Sequence, residues 1–108
     1  MSFAIRMLKM ADALPKSIAG RTVANQIARS GCSVAANYRA ALRGKSRADF
    51  VNKITIVLEE ADETAFWIDL TERAELLPSA KLRKLFREAE ELTKIFNATR
   101  STAKNHPS

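Results

Sequence analysis

Arg29, Ser33 and Asn37 stand four residues apart, which on a helix lines a guanidinium, a hydroxyl and an amide along one face. A second concentration of polar chemistry, Glu59, Glu60, Asp62 and Glu63, crowds about one helical turn further along the chain. A guanidinium on one helix and a carboxylate on another, both partly buried, must pair and satisfy each other's hydrogen bonds. Ser33 and Asn37 are placed to fill the remaining positions. Such a cluster specifies register and helix order more readily than it catalyses.

Other chemistries lack their parts. His106 is the single histidine and lies near the polar chain end, which leaves no histidine base or nucleophile dyad within the domain. The carboxylates at 59 to 63 are not accompanied by the Glu-x-x-His that a di-iron bundle requires. Gly20, Gly31 and Gly44 are isolated and too far apart to cradle a phosphate. Cys32 has no Cys or His at metal-ligand spacing and reads as a reduced, packed thiol. The chain is expected to be non-enzymatic, with no catalytic residue, no metal and no cofactor.

Binding chemistry is better represented. Arg39, Arg43, Lys45 and Arg47 cluster around one helix corner, with Lys53 one or two turns beyond. These are candidate phosphate contacts without sequence readout, since nothing implies bidentate contacts to bases. The same cluster also fits a merely solvated corner. Residues 1–58 carry ten bases against two acids, residues 59–91 ten acids against five bases, and the remainder three bases, for a net charge of +6. That asymmetry suits attraction of a polyanion, or pairing of basic and acidic helices within and between copies. The aromatics Phe50, Phe66, Trp67, Phe86 and Phe96 fall on helical seams and are expected to pack rather than stack on bases.

The elements that must position these residues are helices. Three glycines and three prolines in 108 residues leave few breaks, and one domain is expected across residues 1–108. Phe3, Met7, Met10 and Leu14 repeat at helical steps, predicting a first helix over 2–14 that ends before Pro15. Val23, Ile27, Val34, Tyr38 and Leu42 predict a second over 16–43, closed by Gly44 in a left-handed conformation. Ser46 with Asp49 three positions on is a strong helix start. Phe50, Ile54, Val57, Ala61, Thr64 and Ile68 then form a bundle seam in a helix over 47–76. Ser79 caps a fourth helix over 79–100 bearing Leu82, Leu85, Phe86, Ala89, Leu92, Ile95 and Phe96, and 101–108 reads as a loose tail. Short joints make this an all-α, antiparallel up-down-up-down four-helix bundle. A second stripe on the third helix, Val51, Leu58, Ala65 and Phe66, widens the apolar arc beyond what one intramolecular seam needs, so copies are expected to associate.

Arg6, Lys9 and Asp12 interrupt the N-terminal apolar stretch, so neither a membrane span nor a secretory leader is expected. With one cysteine and no leader, the expected compartment is the cytoplasm.

From Ile27 to Leu77 the order of short motifs is similar to a known family. The stretches Arg29-Ser30-Gly31, Ser33-Val34-Ala35-Ala36-Asn37-Tyr38, Lys45-Ser46-Arg47-Ala48-Asp49-Phe50 and Glu59-Glu60-Ala61-Asp62-Glu63-Thr64-Ala65-Phe66-Trp67 resemble the four-helix-bundle proteins of the 23S ribosomal RNA intervening-sequence type. The resemblance implies a homopentamer around a central channel and assigns Arg29, Ser33, Asn37 and Glu63 to the shared polar cluster. It extends to the accessory variability proteins of diversity-generating retroelements, basic pentamers that bind nucleic acid and a reverse transcriptase. The chain departs from the pattern after Tyr38, where many relatives place an acid and Arg39-Ala40-Ala41 stand here.

Two functions follow as expectations. One is an oligomeric protein whose basic surface, through Arg39, Arg43, Lys45, Arg47 and Lys53, contacts RNA or DNA. The other is an adaptor that docks a partner protein, such as a reverse transcriptase, through exposed apolar and acidic helix faces.

Overall fold

Four helices in chain order make up the protein: α1 (Ser2–Ala13), α2 (Ile18–Leu42), α3 (Arg47–Arg73) and α4 (Ser79–Asn105). The computed structural model describes residues 1–105. Ser17 and Ser46 cap α2 and α3, their hydroxyls accepting the backbone N–H of Gly20 at 3.0 Å and of Asp49 at 3.1 Å.

Five boundaries differ from the sequence expectation: α1 ends at Ala13, α2 begins at Ile18, and the ends of α2, α3 and α4 also shift. α2 ends without left-handed glycine, since no described glycine has positive φ. Its last carbonyls are instead met by 3₁₀-type bonds, Arg43 N–H to Ala40 O at 3.1 Å and Gly44 N–H to Ala41 O at 3.0 Å. α3 stops at Arg73, short of Leu76. Glu75 takes the left-handed conformation at φ 55°, with Glu75 N–H bonded to Glu72 O at 3.0 Å and Leu76 N–H to Thr71 O at 3.1 Å. That is a Schellman closure built on a non-glycine residue, which residue type gives no means of foreseeing. α4 continues through 101–105 rather than loosening, as no glycine or proline interrupts residues 79–105. The expected tail beyond it, His106-Pro107-Ser108, lies outside the described residues.

Consecutive helices pack side by side and antiparallel. Arg29 and Ser30 meet Glu60, Glu63 and Thr64, while Ala36 to Arg43 lie beside Asp49 and Lys53, so α2 and α3 run in opposite directions. Glu72 meets Ser79 and Arg83 at one end of the α3–α4 pair, and Arg47 and Phe50 meet Ile95 to Ala103 at the other. α1 folds back on α2, with Met7 against Gly31. It reaches α4 through Arg6, whose Nε donates to Glu88 Oε1 at 2.9 Å and whose Nη2 pairs with Glu88 Oε2. That carboxylate, hydrogen-bonded to the guanidinium, raises the already high pKa of Arg6.

The core draws on every helix: Phe3, Met7 and Met10 from α1; Val23, Ile27 and Val34 from α2; Ile54, Val57, Ala61 and Ile68 from α3; Leu82, Ala89 and Phe96 from α4. Two expected core residues of α2 are exposed, Tyr38 at 40% and Leu42 at 64%. Length is the reason. The 12 residues of α1 span about 18 Å, whereas the 27-residue α3 and α4 span about 40 Å, so α1 ends before it can cover the far turns of α2. Beyond the reach of α1 the bundle continues as three helices.

Candidate nucleic-acid interface

The polar cluster forms at the middle of the α2–α3 contact. Arg29 donates through Nη1 to Glu60 Oε2 at 3.1 Å, pairs through Nη2 with Glu63 Oε2, and donates through Nε to Gln26 Oε1 at 3.0 Å. Trp67 Nε1 donates to the same Glu63 oxygen at 3.0 Å. Ser33 and Asn37, expected to complete this cluster, do not join it. Asn37 Nδ2 donates to the carbonyl and hydroxyl oxygens of Ser33, both at 2.9 Å, one turn away on α2. Gln26, Glu60 and Trp67 take the places assigned to them. The Arg29 side chain is 47% exposed, so this is a surface clasp rather than a buried ion pair.

The buried polar link lies one residue inward. Ser30 and Thr64 are fully buried with their hydroxyl oxygens 2.8 Å apart, and the Thr64 hydroxyl also lies 2.7 Å from the Glu60 carbonyl oxygen that accepts from it. Thr64 falls in the apolar seam expected of α3. A hydroxyl at a seam position needs a hydrogen-bond partner, and that was the available signal.

At the far end of the same helix pair, Arg39 and Arg43 of α2, Lys45 of the connecting loop and Lys53 of α3 line one open depression together with Ala36, Ala40 and Asp49. Four of the five expected cations thus share a site. Arg47 does not. It opens α3 on the opposite side of the helix from Asp49 and lines a second, apolar depression with Phe50, Ile95, Ala98 and Thr99. Ion pairs among the described residues engage Arg6, Arg29, Arg73 and Arg83, which leaves the four cations of the basic depression outside every ion pair. Cations grouped in this way around one acid leave this end of the α2–α3 pair locally positive.

Nucleophile and metal chemistry finds no comparable arrangement. Cys32 is half-buried on α2. Among the described residues, no three His, Cys, Asp or Glu side chains are grouped to hold a metal, and no helix is long and apolar enough to cross a membrane.

Residues 1–98, spanning all of α1 to α3 and most of α4, match the family described as 23S rRNA-intervening sequence protein. The chain belongs to this family. A solved relative is a protein of unknown function from the S23 ribosomal protein family of Bacteroides thetaiotaomicron. It is 33% identical, the alignment covers 92% of each chain, and the TM-score is 0.86. No curated protein matches the chain. Within the 23S rRNA-intervening sequence fold, the clasp of Arg29 with Glu60 and Glu63 and the buried Ser30–Thr64 contact both set the register of α2 on α3. They thereby position the basic depression a few turns along.

Proposed function

We propose that this protein is a non-enzymatic homopentamer that binds nucleic acid without sequence specificity, through the depression lined by Arg39, Arg43, Lys45 and Lys53. The observation that carries the reading is the gathering of these four cations from two helices and their loop around the single acid Asp49, outside any ion pair among the described residues. Arginine and lysine in such a group replace the counterions of a phosphate backbone, and binding then follows ionic strength. Repeating the depression in each subunit multiplies weak contacts into useful affinity. Support for assembly comes from apolar side chains that one copy leaves in solvent: Leu42, Phe66 and Ile95 are each more than half exposed.

The test is titration of an RNA and a DNA of arbitrary sequence at rising salt. Affinity is expected to fall by about 10² or more between 50 and 200 mM salt, and the joint reversal Arg39→Glu, Arg43→Glu, Lys45→Glu and Lys53→Glu is expected to abolish binding. Salt-independent binding, or full binding by the reversed protein, would refute the reading.

An adaptor role is the second reading. It is favoured by Phe66, 56% exposed and edge-on to Trp67 on the acidic middle of α3 near Asp62 and Glu63. In that case charge reversal at the basic depression leaves capture of the partner protein intact, while Phe66→Asp removes it.

A further inference from the structure

The same basic depression carries a narrower statement about what it holds. Its cations come from both helices and from the loop that joins them. Arg39 and Arg43 are one turn apart on α2, and Lys53 faces them from α3, with Lys45 at the end between the helices. The axes of packed helices lie about 8–10 Å apart, so cations on α2 and on α3 are placed to meet two separate lines of phosphate. A groove of B-form DNA separates its two phosphate rows by about 6–12 Å, and the shallow minor groove of an A-form helix likewise offers two rows of backbone. A single strand offers one row.

The walls between the cations are the methyl groups of Ala36 and Ala40. The aromatic rings at this end of the bundle are directed elsewhere. Tyr38 stands roughly 100° around α2 from Arg39 and turns its ring toward α4, 5.4 Å from that of Phe96, and Phe50 lines the apolar depression beside Ile95. Proteins that hold single strands combine a positive groove with aromatic faces on which bases stack. Here the groove and the rings are on different faces.

We propose that the depression takes the paired phosphate backbone of a double-stranded nucleic acid rather than a single strand. This rests on the nucleic-acid reading above and adds the form of the ligand. Both backbones of a duplex present about one charge per 1.7 Å of axis, twice the density of one strand, to cations that rigid helices hold in place.

Anisotropy of the full-length protein with a short duplex RNA, a duplex DNA of the same sequence and each separated strand tests the proposal. At least one duplex is expected to bind about tenfold or more tightly than its strands, and the RNA and DNA arms identify which duplex is preferred. Four phosphate contacts per depression give a salt slope of about −3.6 for the duplex, against about −2.8 for a strand. Arg39→Glu and, separately on the other helix, Lys53→Glu are each expected to lower duplex affinity about tenfold; unchanged duplex affinity in both would overturn the assignment to this depression. Strands that bind as tightly as duplexes would overturn the inference and leave the nucleic-acid reading standing. No binding by any of the four ligands would overturn both.

Discussion

Two hydroxyls and one guanidinium hold α2 to α3, and they differ in what they contribute. The Arg29 clasp is half in water, so its worth is that of an exposed pair, a few tenths to about 1 kcal/mol, with geometry fixed by Gln26 and by Trp67 on the shared Glu63 oxygen. Ser30 and Thr64 are fully buried, where a hydroxyl without a partner costs about 1–3 kcal/mol. Thr64→Val is therefore expected to destabilise the protein by about that amount in urea unfolding, because it leaves Ser30 facing a methyl group. The double variant Ser30→Ala, Thr64→Val is expected to cost clearly less than the sum of its singles, since both polar groups are then gone. Strict additivity would show that the contact contributes nothing. At this scale the sequence was partly legible. A pairing of Arg29 with one of the acids Glu59, Glu60, Asp62 and Glu63 is legible in the sequence, but which of them it meets is not, and Ser33 and Asn37 share the helical face of Arg29 without joining the pair. Periodicity locates a face but not the rotamer, and Asn37 found a nearer acceptor one turn back.

Among the elements, α1 is the one whose placement hangs on a single small residue. A Cβ at Gly31 would lie 2.6 Å from both Cβ and Cγ of Met7. Glycine within α2 costs about 1 kcal/mol of helix propensity, so Gly31→Ala should stabilise an isolated helix. In this bundle it is expected to do the reverse, lowering stability by about 1 kcal/mol or more, because the backbone-proximal atoms of Met7 cannot move aside without shifting α1. Hydrogen exchange should locate the loss in α1. A stabilised Gly31→Ala would show that α1 does not sit this close. The helices themselves were legible from spacing and caps. Their ends were less so. The Schellman closure at Glu75 depends on a backbone conformation that glutamate does not advertise.

Taken as a whole, the molecule places its bases at the end of the bundle that α1 fails to reach, beside apolar side chains that α1 would otherwise have covered. Leu42, Tyr38 and Ile95 are exposed for that reason, and Phe66 adds a second apolar point on α3. Association through such surfaces is expected to give, in light scattering at moderate concentration, five times the 12.0 kDa chain mass. A stable monomer would remove the assembly from the proposed function, though each depression would still exist. What the amino-acid order determined alone is the set of four amphipathic helices, their antiparallel succession and the gathering of bases near one corner, because helical periodicity, caps and short joints are local properties of the chain. Which cations share a depression, which apolar residues are left in water, and which polar groups meet across α2 and α3 were decided by tertiary structure. Those depend on the rotation of each helix about its axis and on how far a short α1 extends along a longer neighbour, and both are set by packing against other helices.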